Sequence, residues 1–139
     1  MSRHVQAYRQ VQAQSWTRVD MLLALYDKSL LAIDGGIAVL GAGRMIEVPP
    51  ARVQVQRLLL GLIDGMDIEK DETSQNLARL LMFSIRKTGT DDVQGWQDAR
   101  RIVQTLREAF AGVRDEAIQA ERLGEIPPID WRTPVAFSA

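Results

Sequence analysis

The chain has 139 residues, enough for one domain with a sizeable core. Apolar residues make up 46 % and charged residues 25 %, and the net charge is −1, so neither nucleic acid nor an anionic membrane surface is expected as the main partner. The absence of cysteine excludes disulfides and thiolate zinc sites. The amino-terminal MSRHVQAYRQ lacks the apolar stretch of a secretion signal, and no apolar run reaches the length of a membrane span, so membrane insertion is not expected.

Ser2 to Gln14 is polar, with a sparse apolar set at Val5, Tyr8 and Val11. Steps of three predict one short helix with a narrow face, too weak to hold itself together in water. Residues 1–16 are therefore expected to be an arm on a bundle spanning 17–124.

The bundle is organised around VDMLLALYDKSLLAIDGGIAVL, residues 19–40. Val19, Leu22, Leu23, Tyr26, Leu30, Ile33, Ile37 and Leu40 recur in threes and fours, the signature of an apolar helical stripe. Thr17 and Asp20 have the spacing of a capping box. A second row, Met21, Leu25, Ser29 and Ala32, runs beside the stripe, so this helix needs cover on more than one side. Gly35–Gly36 predicts a close backbone approach, because the stripe continues beyond it. Glycines at 41–43 predict the helix end, and Met45 to Pro50 reads as a linker with Pro50 in the first turn of the next helix.

Ala51 to Met66 is the second predicted helix, with Val55, Leu58, Leu59, Leu62, Ile63 and Met66 inward and Leu60 off that face. The third starts near Asp71–Ser74 and ends near Lys87, with Leu77, Leu80, Leu81 and Ile85 inward. The fourth starts at Thr90–Asp92 and ends at Leu123–Gly124. Its stripe, Trp96, Ala99, Val103, Leu106, Phe110, Val113, Ala117 and Ala120, has heptad spacing. Residues 125–139 carry three prolines and no period, and read as an irregular tail. The expected fold is all-α: an antiparallel up-down four-helix bundle with a short N-terminal arm helix.

Residues that could carry chemistry are few. His4 is the only histidine, which leaves no histidine dyad for neutral-pH proton transfer. Asp64, Asp67, Glu69, Asp71 and Glu72 cluster around a turn containing Lys70, and read as a solvated charged turn rather than a metal site. Gly41–Ala42–Gly43 lacks the preceding strand of a phosphate loop. No enzyme activity, metal or cofactor is expected.

The unusual feature is surplus apolar residues: Met21, Leu25 and Leu31 on the first helix, Val53 and Leu60 on the second, Met82 and Phe83 on the third, Ile102 and Ala109 on the fourth. They fit either a thick core or a surface that receives a partner's amphipathic helix.

The run Tyr8…Val11-Gln12-Ala13-Gln14-Ser15-Trp16, followed by Met21-Leu22-Leu23-Ala24-Leu25-Tyr26-Asp27, resembles the start of the flagellar secretion chaperone family FliS. That family shows a lone tyrosine, a V-x-T-A-S-P-like segment and a helix containing M-L-Y-D-G. Leu62-Ile63-Asp64-Gly65-Met66-Asp67, Gln75-Asn76-Leu77-Ala78-Arg79-Leu80-Leu81 and Thr105-Leu106-Arg107-Glu108-Ala109-Phe110 are similar, in order, to its L-x-x-x-L-D, N-L-x-x-L-Y and L-R-x-A-W segments. Trp16, Lys28, Leu81 and Phe110 depart from the family pattern.

The resemblance implies a cytoplasmic export chaperone that binds the C-terminal segment of flagellin and prevents premature polymerisation. Other flagellar export components are further candidate partners, and the chain is expected as a monomer or weak homodimer. Val5 and Tyr8 match the family's arm positions, Tyr26 and Asp27 its first-helix signature, and Asn76 its third-helix signature or a helix cap. The candidate partner-binding set is Val5, Tyr8, Val11, Met21, Leu25, Asn76, Met82 and Phe83. The alternative is a bundle that self-associates through the same apolar surface, with no flagellin client.

Overall fold

Thr17 starts the first helix, α1 (Arg18–Gly41): its hydroxyl oxygen accepts the Asp20 N–H at 3.3 Å. The hydroxyl donates to Asp20 Oδ2 at 2.9 Å, so the Asp20 carboxylate engages the Thr17 side chain. The computed structural model describes residues 17–66, 69 and 71–125. The arm residues Val5, Tyr8 and Val11 and the tail beyond residue 125 lie outside the described residues.

Gly43, at φ +70°, ends α1: the Gly43 and Arg44 N–H groups close back on the Leu40 and Val39 carbonyls, as only a left-handed residue allows. Residues 45–50 form no extended linker. Met45–Glu47 is one 3₁₀ turn, and α2 runs Val48–Asp64, with both prolines in its first turn, where missing N–H groups cost nothing. Asp71 caps α3 (Glu72–Lys87) by accepting the Ser74 N–H at 2.7 Å. Asn76 therefore does not cap this helix. Asp92 caps α4 (Val93–Gly112) by accepting the Gln94 N–H at 3.1 Å.

The expected single fourth helix is two. α4 ends at Gly112, Val113 turns out of helical geometry at φ −110°, ψ 13°, and α5 runs Arg114–Arg122. Glycine followed by a β-branched residue is the weakest helix-forming pair in the segment. Val113 is exposed rather than on the core stripe. Gly124, at φ +76°, closes α5 as Gly43 closes α1.

Among the described residues there are helices and no strand. α1 touches α2 and α4, and α3 touches α2 and α4, so α1 and α3 are diagonal across the core. α5 folds over the start of α1, where Arg18 N–H donates to Glu121 Oε2 at 3.0 Å. The core holds Tyr26, Leu30, Ile33, Val55, Leu59, Leu62, Leu81, Trp96, Val103 and Leu106. Of the glycine pair, only Gly36 makes a close approach. A Cβ there would lie 2.1 Å from Trp96 Cζ3, whereas nothing stands within 4 Å of a Cβ at Gly35. The buried Trp96 donates its indole N–H to the Thr90 carbonyl at 2.8 Å.

Tyr26 has the core place its spacing predicts. It is fully buried and stacks on Phe110 with centroids 5.6 Å apart. Its hydroxyl has no hydrogen-bond partner among the described residues. Burial pushes the phenol pKa up to about 12. The other buried hydroxyls are satisfied locally: Ser29, Ser84 and Thr88 donate to carbonyls one turn back.

Candidate functional site

The surplus apolar residues divide by helix. α4 has no large apolar side chain among the most exposed, whereas α1 shows Leu31, 73 % exposed, α2 shows Val53 and Leu60, and α3 shows Leu80, Met82 and Phe83. Leu80 was expected inward and is 41 % exposed. The buried residues of α3 are Ala78, Leu81 and Ser84, a stripe one residue wide per turn. Leu80 is turned about 100° from Leu81 and so lies off that stripe.

Met82 lines an open groove with Glu69, Gln75, Ala78, Arg79 and Arg86, about 380 Å3 in volume. Gln75, Arg79, Met82 and Arg86 recur in fours and threes, so one face of α3 forms the groove. Across from it, Gln56 Nε2 donates to the Ile85 carbonyl at 3.4 Å and sets the α2–α3 register. α2 and α3 run in opposite directions past that contact, because Arg52, earlier in α2, donates to the carbonyl of Thr88, just past the end of α3, at 2.8 Å. Leu60, four residues beyond Gln56, is then level with Leu81 and Met82 on the outer side of the same pair.

The structure brings only part of the predicted set together. Met82 is in the groove, 44 % exposed. Phe83, 37 % exposed, faces the next sector of α3, with Lys87 Nζ 5.2 Å from its ring centroid. Asn76 is exposed and accepts from Arg79 Nη1 at 3.1 Å. Met21 and Leu25 are half-buried on α1, diagonal to α3, and do not share the groove. Arg79 and Arg86, outside the expected set, also line the groove. Their seven-residue spacing either side of Met82 was the available signal, but isolated basic residues on a helix are common.

The opposite side is differently built. Arg100, Arg107 and Arg114 each present Nε and Nη2 to both oxygens of Asp34, Asp27 and Asp20, with Nε contacts of 2.6, 2.9 and 2.7 Å. Arg100 and Arg107 are in α4 and Arg114 opens α5; each set is spaced by seven residues and runs oppositely, so α1 and α4 are antiparallel. The Arg114 guanidinium holds the Asp20 carboxyl below its usual pKa. At the bundle end, Arg52 donates to the Thr88 and Thr90 carbonyls and pairs with Asp91, fixing the α3–α4 turn.

Among the described residues no helix is long and apolar enough to cross a membrane, and no three His, Asp or Glu side chains are grouped to hold a metal ion. No curated protein and no solved structure matches the chain. A family model described as flagellar protein FliS matches residues 1–117, which include every residue of the α2–α3 face and of the α1–α4 seam. With most of its length under that match and an all-helical fold, the chain belongs to the FliS family of flagellar export chaperones.

Proposed function

We propose that this chain binds the C-terminal segment of flagellin in the cytoplasm and keeps it from polymerising before export. The observation that carries the reading is the exposed apolar surface of α2 and α3, with Met82 in an open groove, inside the stretch matched by the family. Covering the apolar stripe of an unassembled flagellin end with such a surface removes it from self-association by mass action. No bond is made or broken, so the activity needs neither cofactor nor nucleotide. Methionine suits the task, since its flexible thioether adapts to an imperfect fit.

In this reading Met82, Phe83 and Asn76 form the principal contact. Met21 and Leu25 belong to a second contact on α1. Because α1 and α3 are diagonal, a segment touching both must run around the bundle. Val5, Tyr8 and Val11, which lie outside the described residues, complete the proposed set.

Calorimetric titration with a flagellin C-terminal peptide tests the reading. Met82→Asp should weaken binding at least tenfold while the melting temperature stays within a few degrees of the parent. Unchanged affinity would remove the α2–α3 face from the site. A stable homodimer that buries Met82 and binds no flagellin would replace the reading with self-association.

A further inference from the structure

Two heptad-spaced sets of arginines differ in their partners. On the α1–α4 side Arg100, Arg107 and Arg114 are each held by both oxygens of an aspartate. On the α2–α3 side Arg57, Arg79 and Arg86 have no carboxylate partner among the described residues, and two of them line the groove around Met82. Arg86 is in the last turn of α3, where the helix dipole favours a cation by itself. Arg79 is mid-helix, where the dipole offers nothing, and its one hydrogen bond goes to the neutral Asn76.

We infer that the groove recognises charge as well as apolar surface: its occupant is an amphipathic helical protein segment with an apolar residue over Met82 and carboxylates, seven residues apart, at Arg79 and Arg86. The inference rests on the α2–α3 face being the client surface. Arg79 and Arg86 are about 10.5 Å apart along α3, and a helix alongside repeats that separation only at i and i+7. Carboxylates three or four residues apart would leave one arginine unpaired. Glu69 lines the same groove, ahead of α3, and repels a third acid at its level. The occupant's charges, ordered along α3 from its start, are therefore neutral or basic, then acidic, then acidic. Guanidinium groups at such positions set partner choice and register, while the apolar contact supplies most of the affinity.

The test uses the full chain and three helical 21-residue peptides with one leucine stripe. They carry glutamate, glutamine or lysine at the two positions facing Arg79 and Arg86, and binding is followed by fluorescence anisotropy. At 50 mM salt the glutamate peptide should bind about fivefold tighter than the glutamine peptide, the lysine peptide should bind more weakly than both, and the gap should shrink at 300 mM. In the double variant Arg79→Gln, Arg86→Gln the glutamate and glutamine peptides should become equal, with the glutamine peptide's affinity unchanged. Equal binding of all three peptides to the parent, with Met82→Asp weakening each, would overturn charge recognition and leave the client surface standing. Met82→Asp without effect on any peptide would overturn the client surface itself. Failure of all three peptides to bind would overturn the inference.

Discussion

The α1–α4 seam and the α2–α3 face are built from similar residues with opposite outcomes. Both present arginines at heptad spacing beside apolar side chains. On the seam the arginines close on aspartates, and the large apolar residues of α4 turn inward. On the face Arg57, Arg79 and Arg86 have no carboxylate partner among the described residues, and Val53, Leu60, Met82 and Phe83 remain in contact with water. The difference teaches that the seam arginines are engaged by the chain's own aspartates, even though Leu31 on the same face of α1 stays 73 % exposed, whereas Arg79 and Arg86 have no such partner among the described residues. An exposed ion pair adds little stability, typically under about 1 kcal/mol. The seam's aspartates therefore act chiefly in fixing register, and the lack of such a partner for Arg79 and Arg86 among the described residues costs the fold little.

Substitutions should separate the two sides, beginning where the effect is largest. Leu106→Asp places a charge in the core beneath the seam, at a cost of several kcal/mol, comparable to the whole stability of a small domain. It should leave the chain unfolded by circular dichroism at 25 °C. Gly36→Ala forces Trp96 to move and strains its bond to Thr90. An overpacking cost of about 1–3 kcal/mol should lower the melting temperature by roughly 3 °C for each kcal/mol. The same change at Gly35 meets open space and should stabilise α1 slightly.

Tyr26→Phe keeps the ring on Phe110 and removes a buried hydroxyl without a partner. It should raise stability by about 1 kcal/mol. The parent should also lose stability as pH rises from 10 towards 12. The unfolded phenol ionises near 10 and the buried one only near 12, so the neutral form's advantage disappears across that window. Tyr26→Phe should flatten that part of the pH profile in thermal melts.

The seam pairs should show smaller effects. Asp27→Asn should cost under about 1 kcal/mol, less in high salt. Asp20 has its pKa lowered by Arg114, so its contribution is present above about pH 4 and is lost as pH falls through the lowered value. Melts of Asp20→Asn between pH 2 and 7 should show a shallower acid limb than the parent. Smallest of all is Met82→Gln on the open face, which should change stability by less than about 0.5 kcal/mol. A large loss there would mean that the face is closed, and would break the comparison.

Much of this architecture follows from interactions within about four residues, and those are legible in a sequence. The steps of Val19 to Leu40, the cap at Thr17, the helix starts near Asp71 and Asp92, the glycine near the end of α1 and the inward place of Trp96, Val103 and Leu106 all come from local period and local hydrogen bonds. The candidate surface was legible in part. Met82 and Phe83 stand out because they exceed what one helix needs to bury, but Met21 and Leu25 exceed it equally and are half-buried elsewhere.

What the sequence by itself determined was the helical class, three of the helix starts and most of the core stripe of α1, α2 and α4, but not that of α3, where Leu80 is exposed and Ala78 and Ser84 are buried. Tertiary structure decided which surplus residues stay outside. That depends on which sectors of each helix its two neighbours cover, which is a property of the assembled bundle. It also decided that Gly36, and not Gly35, meets Trp96, and that Asp20, Asp27 and Asp34 meet arginines 94, 80 and 66 residues away. Contacts at such separations exist only once the helices are in register. No window of a few residues contains the free energy that selects them.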